Sequence, residues 1–401
     1  MPLVRVVCGE VSSGMSMMTA WQTAEGPRQA GQEGPRYRGA VVYLYAFDLA
    51  YDIAPMPLRE LLGQPVADHC VDTSKRSPRY LMLHRPRLVR LPPWERIGPH
   101  GPVRLEVTVK LFPVGAMSIA VRVPFQVNRL GELVQYHDLT FNNGDLYSEV
   151  RRLAEQIREE LKTRFVRPVE RLEEEEAYTV FCLETPLQAA DGGKIRAESW
   201  LAQHRREVAA LLTQEPDLES LSTQEAEEST SLHLSYYEDD LTVVDWDAAL
   251  VVDDPREFEE TLYILELANL QLAELEAYDR LLDTAIESSY RDLSGQGGRR
   301  RGQIMRELRE LKIDLARFHD ELSNITKFFG DWHLARIYQA VSQRFHLADW
   351  HRVLEGKLKT LDELYHFLNA DRTNRWMLVL EATIVLLFII DLVVIVVGVG
   401  K

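Results

Sequence analysis

AVVYLYAFDL, running from Ala40 to Leu49, is apolar, β-branched or aromatic at nearly every position. It reads as a strand, and it is where regular structure begins. Residues 1–37, including TAEGPRQAGQEGPR, are polar, Gly/Pro-bearing and without hydrophobic period, and read as a disordered tail. Beyond the first strand the chain repeats the pattern in Tyr80-LMLHRPRLVRL, Val103-RLEVTVKLF and Ala116-MSIAVRVPF, parted by Pro/Gly turns. Asn142-Asn143-Gly144-Asp145 then turns the chain, with Asp145 placed to cap a helix over Leu146–Arg164. A strand at Tyr178-TVFCLET, a helix over Ser199–Leu212 and a polar loop from Thr213 follow. Short strands around Leu232-HLSY, Leu241-TVVDW and Ala248-ALVVD complete an α+β head over residues 38–255.

After Pro255 the period changes. Ala268, Leu272, Leu275, Asp279, Leu282, Ile286, Ser289 and Leu293 recur at spacings of 3 and 4. Ile304, Leu308, Leu311, Leu315, Phe318, Leu322, Ile325 and Phe329 do the same, beyond a Gly-rich break at 295–302 that lets the two helices fold antiparallel. The last heptad, Leu347, Leu354, Leu358, Leu361, Tyr365 and Leu368, has no such intramolecular partner. A coiled-coil-like helical stem is predicted over 256–375, with Leu354, Leu358, Leu361, Tyr365 and Leu368 as its oligomerisation seam.

The stem feeds into Trp376-MLVLEATIVLLFIIDLVVIVVGVG-Lys401. About 20 mainly apolar residues suffice to span a bilayer, so 376–400 is predicted to be one transmembrane helix. Arg372, Arg375 and Trp376 would anchor its near end. Positive-inside reasoning then leaves the head in the cytosol or an organelle matrix, as a single-pass, tail-anchored protein. Within the run, Glu381 and Asp391 would each cost about 2.5–3.5 kcal/mol at mid-bilayer. They are candidates for holding helices together in an assembly, for an ion path, or, for Glu381, for reaching the interface.

The chain carries a formal charge of −16 over 401 residues, unevenly. Residues 299–375 hold 15 Lys+Arg against 11 Asp+Glu, and residues 1–298 carry −19. An acidic head argues against nucleic acid as a partner. Cys8, Cys70 and Cys182 are sparse and odd in number, which reads as reduced thiols. Glu238-Asp239-Asp240, Asp245, Asp247, Asp253 and Asp254 could gather oxygens for a hard cation, but without EF-hand spacing they read first as solvated strand ends. His333, His346, His351 and His366 form no metal-binding pair, and Asp191-Gly192-Gly193-Lys194 lacks the spacing of a phosphate loop. No catalytic residue and no cofactor are nominated.

Met305-RELRELKIDLARFHDEL, Phe328-FGDWHLARIYQAV, His351-RVLEGKLKTLDELYHFL and Leu380-EATIVLLFIIDLVV together resemble the required-for-meiotic-nuclear-division family. Glu381 and Asp391 match the two acids of that family's terminal span. The resemblance covers about a quarter of the chain and implies a membrane-anchored oligomer. The expected function is a non-enzymatic anchored scaffold or tether, with further copies of itself, the bilayer and a cytosolic protein as partners. A homo-oligomeric cation channel using Glu381 and Asp391, and an enzyme sited in the head, stand as alternatives.

Overall fold

The computed structural model describes residues 36–53, 58–69, 86–98, 101–113, 115–142, 144–168, 172, 175–189, 193–293, 306, 309–310, 313 and 332–399. The expected tail before residue 36 and the expected stem helix over 303–329, four positions aside, lie outside them.

The strand read first, β1 (Tyr37–Asp48), lies near the middle of one eleven-stranded sheet. Its side chains alternate, and both sets are apolar. Val41, Tyr43, Tyr45 and Phe47 enter one core, while Val42, Leu44 and Ala46 enter cores on the other face. A strand buried on both faces needs cover on both sides.

The remaining strands are β2 (Glu60–Leu61), β3 (Gln64–Asp68), β4 (Arg87–Arg90), β5 (Trp94–Gly98), β6 (Gly101–Leu111), β7 (Ala116–Val127), β8 (Glu176–Glu184), β9 (His233–Leu234), β10 (Leu241–Val244) and β11 (Ala248–Asp253). The order is β9-β10-β11-β8-β1-β7-β6-β4-β3-β2, with β5 also pairing β6. All neighbours are antiparallel except β8 and β11. That parallel pair is made possible by the long crossover between them, which carries α2 (Ala197–Leu212) and α3 (Thr223–Ser229). Gly39 is required where β1 meets β8, because a Cβ there would stand 1.8 Å from the Cys182 carbonyl oxygen.

On the face of Tyr43 and Tyr45 lie α1 (Leu146–Leu161) and α2. Asp145 caps α1 by accepting the Ser148 amide at 2.7 Å. The opposite face is covered by α4 (Phe258–Leu293), α5 (Trp332–Arg344) and the start of α6 (Leu347–Val399).

This architecture corrects the expected succession of α+β head, coiled-coil-like stem and transmembrane helix. The large mixed sheet and its helices form one body, and α4 is a covering layer of that body. Every residue of α4 from Glu260 to Leu275 is buried, on all sides of the helix. A two-stranded coiled coil buries only a narrow seam. Apolar residues at spacings of 3 and 4 serve a sheet surface equally well, and that is why the heptads misread. No long coiled-coil stem is present among the described residues.

The membrane reading is also corrected. Among the described residues no helix is long and apolar enough to cross a membrane. The backbone of α6 is helical to Val399, but the described side chains of the apolar run extend only from Met377 to Ile390. The tail anchor, the single-pass topology and the cytosolic or matrix placement of the head fall with it.

Candidate functional site

Two parts of the helical layer stand out, one inside and one outside. The inner part is a polar row on the sheet face beneath α4. Lys110 of β6 is opposite Ser118 of β7, Ser118 is opposite Ala46 of β1, and Ala46 is opposite Glu176 of β8. Directly paired residues share a face, so Lys110, Ser118 and Glu176 all lie under the helix. Lys110 forms a buried ion pair with Glu266 of α4 and lies 5.4 Å from the centre of the Tyr263 ring. The His69 ring packs 5.4 Å from the same tyrosine. Burial first, and then the Lys110 charge, push the His69 imidazole down to about 4, so it is neutral at pH 7. Asn269 donates its Nδ2 hydrogens to the carbonyls of Glu176, at 3.0 Å, and Leu44, at 3.4 Å.

At the far end of the row the balance turns acidic. Burial first, and then the Glu276 carboxyl of α4, push Glu176 up to about 8, against the pull of Arg280. Asp48 of β1 is pushed up to about 7 by burial, again opposed by Arg280. Arg280 approaches Glu276 at 3.5 Å one turn along the helix. These groups answer one another across the helix–sheet junction, and their chemistry is that of holding α4 down.

The outer part is α6. Its first turns are fixed to α4: Leu354 and Leu361 are buried beside Leu275 and Leu282, and Leu358 packs against them. Lys357 bridges Asp279 at 2.7 Å and Asp283 at 2.6 Å. Further along, Met377 to Ile390 lie exposed, with Leu380 at 63 % and Phe388 at 71 %. Glu381 is exposed in the same stretch. The Thr383 hydroxyl is satisfied internally, donating to the Val379 carbonyl at 2.7 Å.

Of the residues expected to act together, Leu354, Leu358 and Leu361 are thus drawn into the chain's own core, and Glu381 stands in the open. The side chains of Tyr365, Leu368, Arg372, Arg375, Trp376 and Asp391 lie outside the described residues. The acidic run is dispersed among separate partners. Glu238 pairs with Arg196 at 3.0 Å, Asp239 with Lys194 at 2.6 Å and Asp254 with Arg256 at 2.9 Å. Asp240 accepts the amides of Tyr236 and Tyr237. Asp245 and Asp247 belong to the turn between β10 and β11 rather than to a strand, and Asp245 meets Arg344 of α5 at 3.4 Å. Among the described residues no group of three or more His, Cys, Asp or Glu is placed to hold a metal ion. His346 bonds Asp349 at 3.1 Å, and Lys194 lies in a turn closed by Ala189 and Gly193. Cys182 is a buried free thiol, while Cys8 and Cys70 lie outside the described residues.

Sequence reasoning missed Lys110, Glu266, Asn269, Asp48 and Glu176. Its available signal was their phase: Glu266 and Asn269 flank Ala268 within the most apolar part of α4.

The structure thus defines a mixed-sheet domain with helices on both faces. Residues 38–259 match the family described as "Uncharacterized protein MJ0711, N-terminal domain", and the chain belongs to that family. It is similar to "Uncharacterized protein MJ0711" of Methanocaldococcus jannaschii, 24% identical over 277 residues that make up 69% of this chain and 81% of that protein. No solved structure matches. The match overturns the resemblance to the meiotic-nuclear-division family: it runs through the head, which that resemblance left unaligned.

Proposed function

We propose that this chain is a non-enzymatic, homo-oligomeric scaffold, whose heads are gathered by the outer half of α6. One observation carries the reading: a helix anchored at its base and, Glu381 and Thr383 aside, apolar on its exposed surface beyond it. Such a helix is normally covered on all sides. Its large apolar side chains from Met377 to Ile390 are 46–71 % exposed, together on the order of 1,000 Å². One partner's share of a standard protein interface is about 800 Å². A second copy presents the same surface at the same height, because the base of α6 is fixed to α4 by Lys357, Leu354 and Leu361. Side-by-side packing brings Glu381 against Glu381, a polar position that sets register among apolar neighbours.

The test is light scattering on the full chain and on a chain truncated after Asn374. The full chain is expected to be oligomeric, and the truncated chain monomeric with its circular dichroism retained. A monomeric full chain, an oligomeric truncated chain, or a full chain that stays monomeric and binds lipid vesicles would each overturn the reading.

A further inference from the structure

The exposed stretch of α6 from Met377 to Ile390 carries one carboxyl, and its phase on the helix is informative. Met377, Glu381, Ile384 and Phe388 follow one another at spacings of 4, 3 and 4, which sets them along one stripe. Leu378 and Val385 flank that stripe. The helix is continuous from Leu347 to Val399, so phase carries over from its base. At roughly 100° per residue, Glu381 stands about 180° around the helix from Leu354 and about 200° from Leu361. Those two leucines are buried with Leu275 and Leu282 of α4, so the stripe lies on the side of α6 turned away from that contact. Thr383 falls about 40° from the phase of Leu361. Its hydroxyl is already engaged by the Val379 carbonyl. Glu381 is thus the polar residue of the outward stripe. The nearest ionisable residues along α6, Arg375 and Asp391, stand six positions before it and ten after. Neither is at the spacing of 3 or 4 that makes helix neighbours. Every described side chain from Met377 to Ile390 is exposed, so no charged group of the described head packs on the stripe.

We infer, on the footing of the self-association proposed above, that copies meet along this outward stripe and that their assembly is proton-linked through Glu381. In a separate chain the Glu381 side chain is exposed to water. Between two copies it is desolvated among Met377, Ile384 and Phe388, and it meets an equal charge at the same height. Both changes act against the ionised form. One proton taken from solution for each facing pair removes the repulsion and lets one carboxyl donate a hydrogen bond to the other. Association therefore strengthens as pH falls and weakens as pH rises. The apolar stripe supplies the attraction, and Glu381 makes it answer to pH.

Light scattering on dilution series gives the dissociation constant of the full chain and of its Glu381→Gln variant at pH 6 and pH 8.5. The ratio of the two constants at equal pH removes the pH-dependent charge that both heads share. Glutamine, neutral and able to hydrogen-bond to its counterpart, is expected to keep the copies together at both pH values. The ratio of the unaltered chain to the variant is expected to rise at least fivefold from pH 6 to pH 8.5. A level or falling ratio with both chains associated overturns the proton link and leaves the self-association standing. A variant that does not associate while the unaltered chain does also overturns it. A full chain that is monomeric at both pH values removes the self-association and this inference with it.

Discussion

The two long helices on one face of the sheet depart from the inside–outside rule in opposite directions. Buried α4 takes Glu260, Glu266, Asn269, Gln271 and Glu274 into the interior, whereas exposed α6 presents Met377 to Ile390 to its surroundings. In α4 the polar groups meet partners from distant strands: Lys110 for Glu266, and main-chain carbonyls of β1 and β8 for Asn269. Tyr338 of α5 donates to Gln271 at 2.6 Å. The apolar groups of outer α6 have no counterpart in the described head. Interior polarity at Glu266, Asn269 and Gln271 is closed by partners within one chain, and exterior apolarity is open. The first specifies how the helix docks; the second calls for a partner.

The sharpest way to break this contrast is to open the closed side. Lys110→Met leaves the Glu266 carboxylate buried and unanswered, and removing one partner of such a pair costs about 3–5 kcal/mol. Calorimetry should show that loss, and Lys110→Met with Glu266→Leu should recover most of it. If the double variant is as unstable as the single one, the pair does not hold α4. A backbone counterpart comes next. Gly39→Ala drives a Cβ into the Cys182 carbonyl oxygen and forces β1 from β8, at a cost of about 2–3 kcal/mol. A neutral effect in urea titration would show that the ladder yields there freely.

Why the sequence shows one side of the contrast and hides the other follows from range. The central strand is legible because both parities of Val41 to Phe47 are apolar, and a strand of that kind is buried on both faces. The Asp145 cap is legible because its partner is three residues away. Lys110 and Glu266 are 156 residues apart, and each alone reads as a surface charge. Lys110 alternates with Val109 and Leu111, so strand period alone assigns it to a solvated face. The run after Trp376 was legible as apolar and misread as a membrane span. Hydropathy reports that a segment avoids water, and it is silent on what covers it. Leu354 and Leu361 were legible as a seam, but the surface that receives them is α4 of the same chain.

A subtler test sets the acidic end of α4 against its neutral end by pH. Asp48 and Glu176 are raised from 3.8 and 4.5 to about 7 and about 8. The folded chain therefore binds more protons than the unfolded one between those limits, and stability falls as pH rises through them. His69, lowered from 6.5 to about 4, acts in the opposite sense, but only below pH 6.5. The clean window is pH 6.5 to 8.5, where the melting temperature should decline. Glu176→Gln should flatten that decline. An unchanged slope in the variant would assign the titration elsewhere.

The smallest effect tests the open side at a single residue. If copies pack α6 side by side in one register, Glu381 is the position that selects it, at some expense to the strength of packing. Cysteines introduced one at a time at Met377, Ile384 and Val385 should form disulfides between like positions in the otherwise unaltered assembly. Adding Glu381→Leu should leave the copies associated, because the apolar surface is intact, while spreading cross-links between unlike introduced cysteines when two such chains are mixed. Equal yields for like and unlike pairs before Glu381 is changed would mean that the apolar surface associates without a register. Outer α6 would then differ from α4 in specificity as well as in what it exposes.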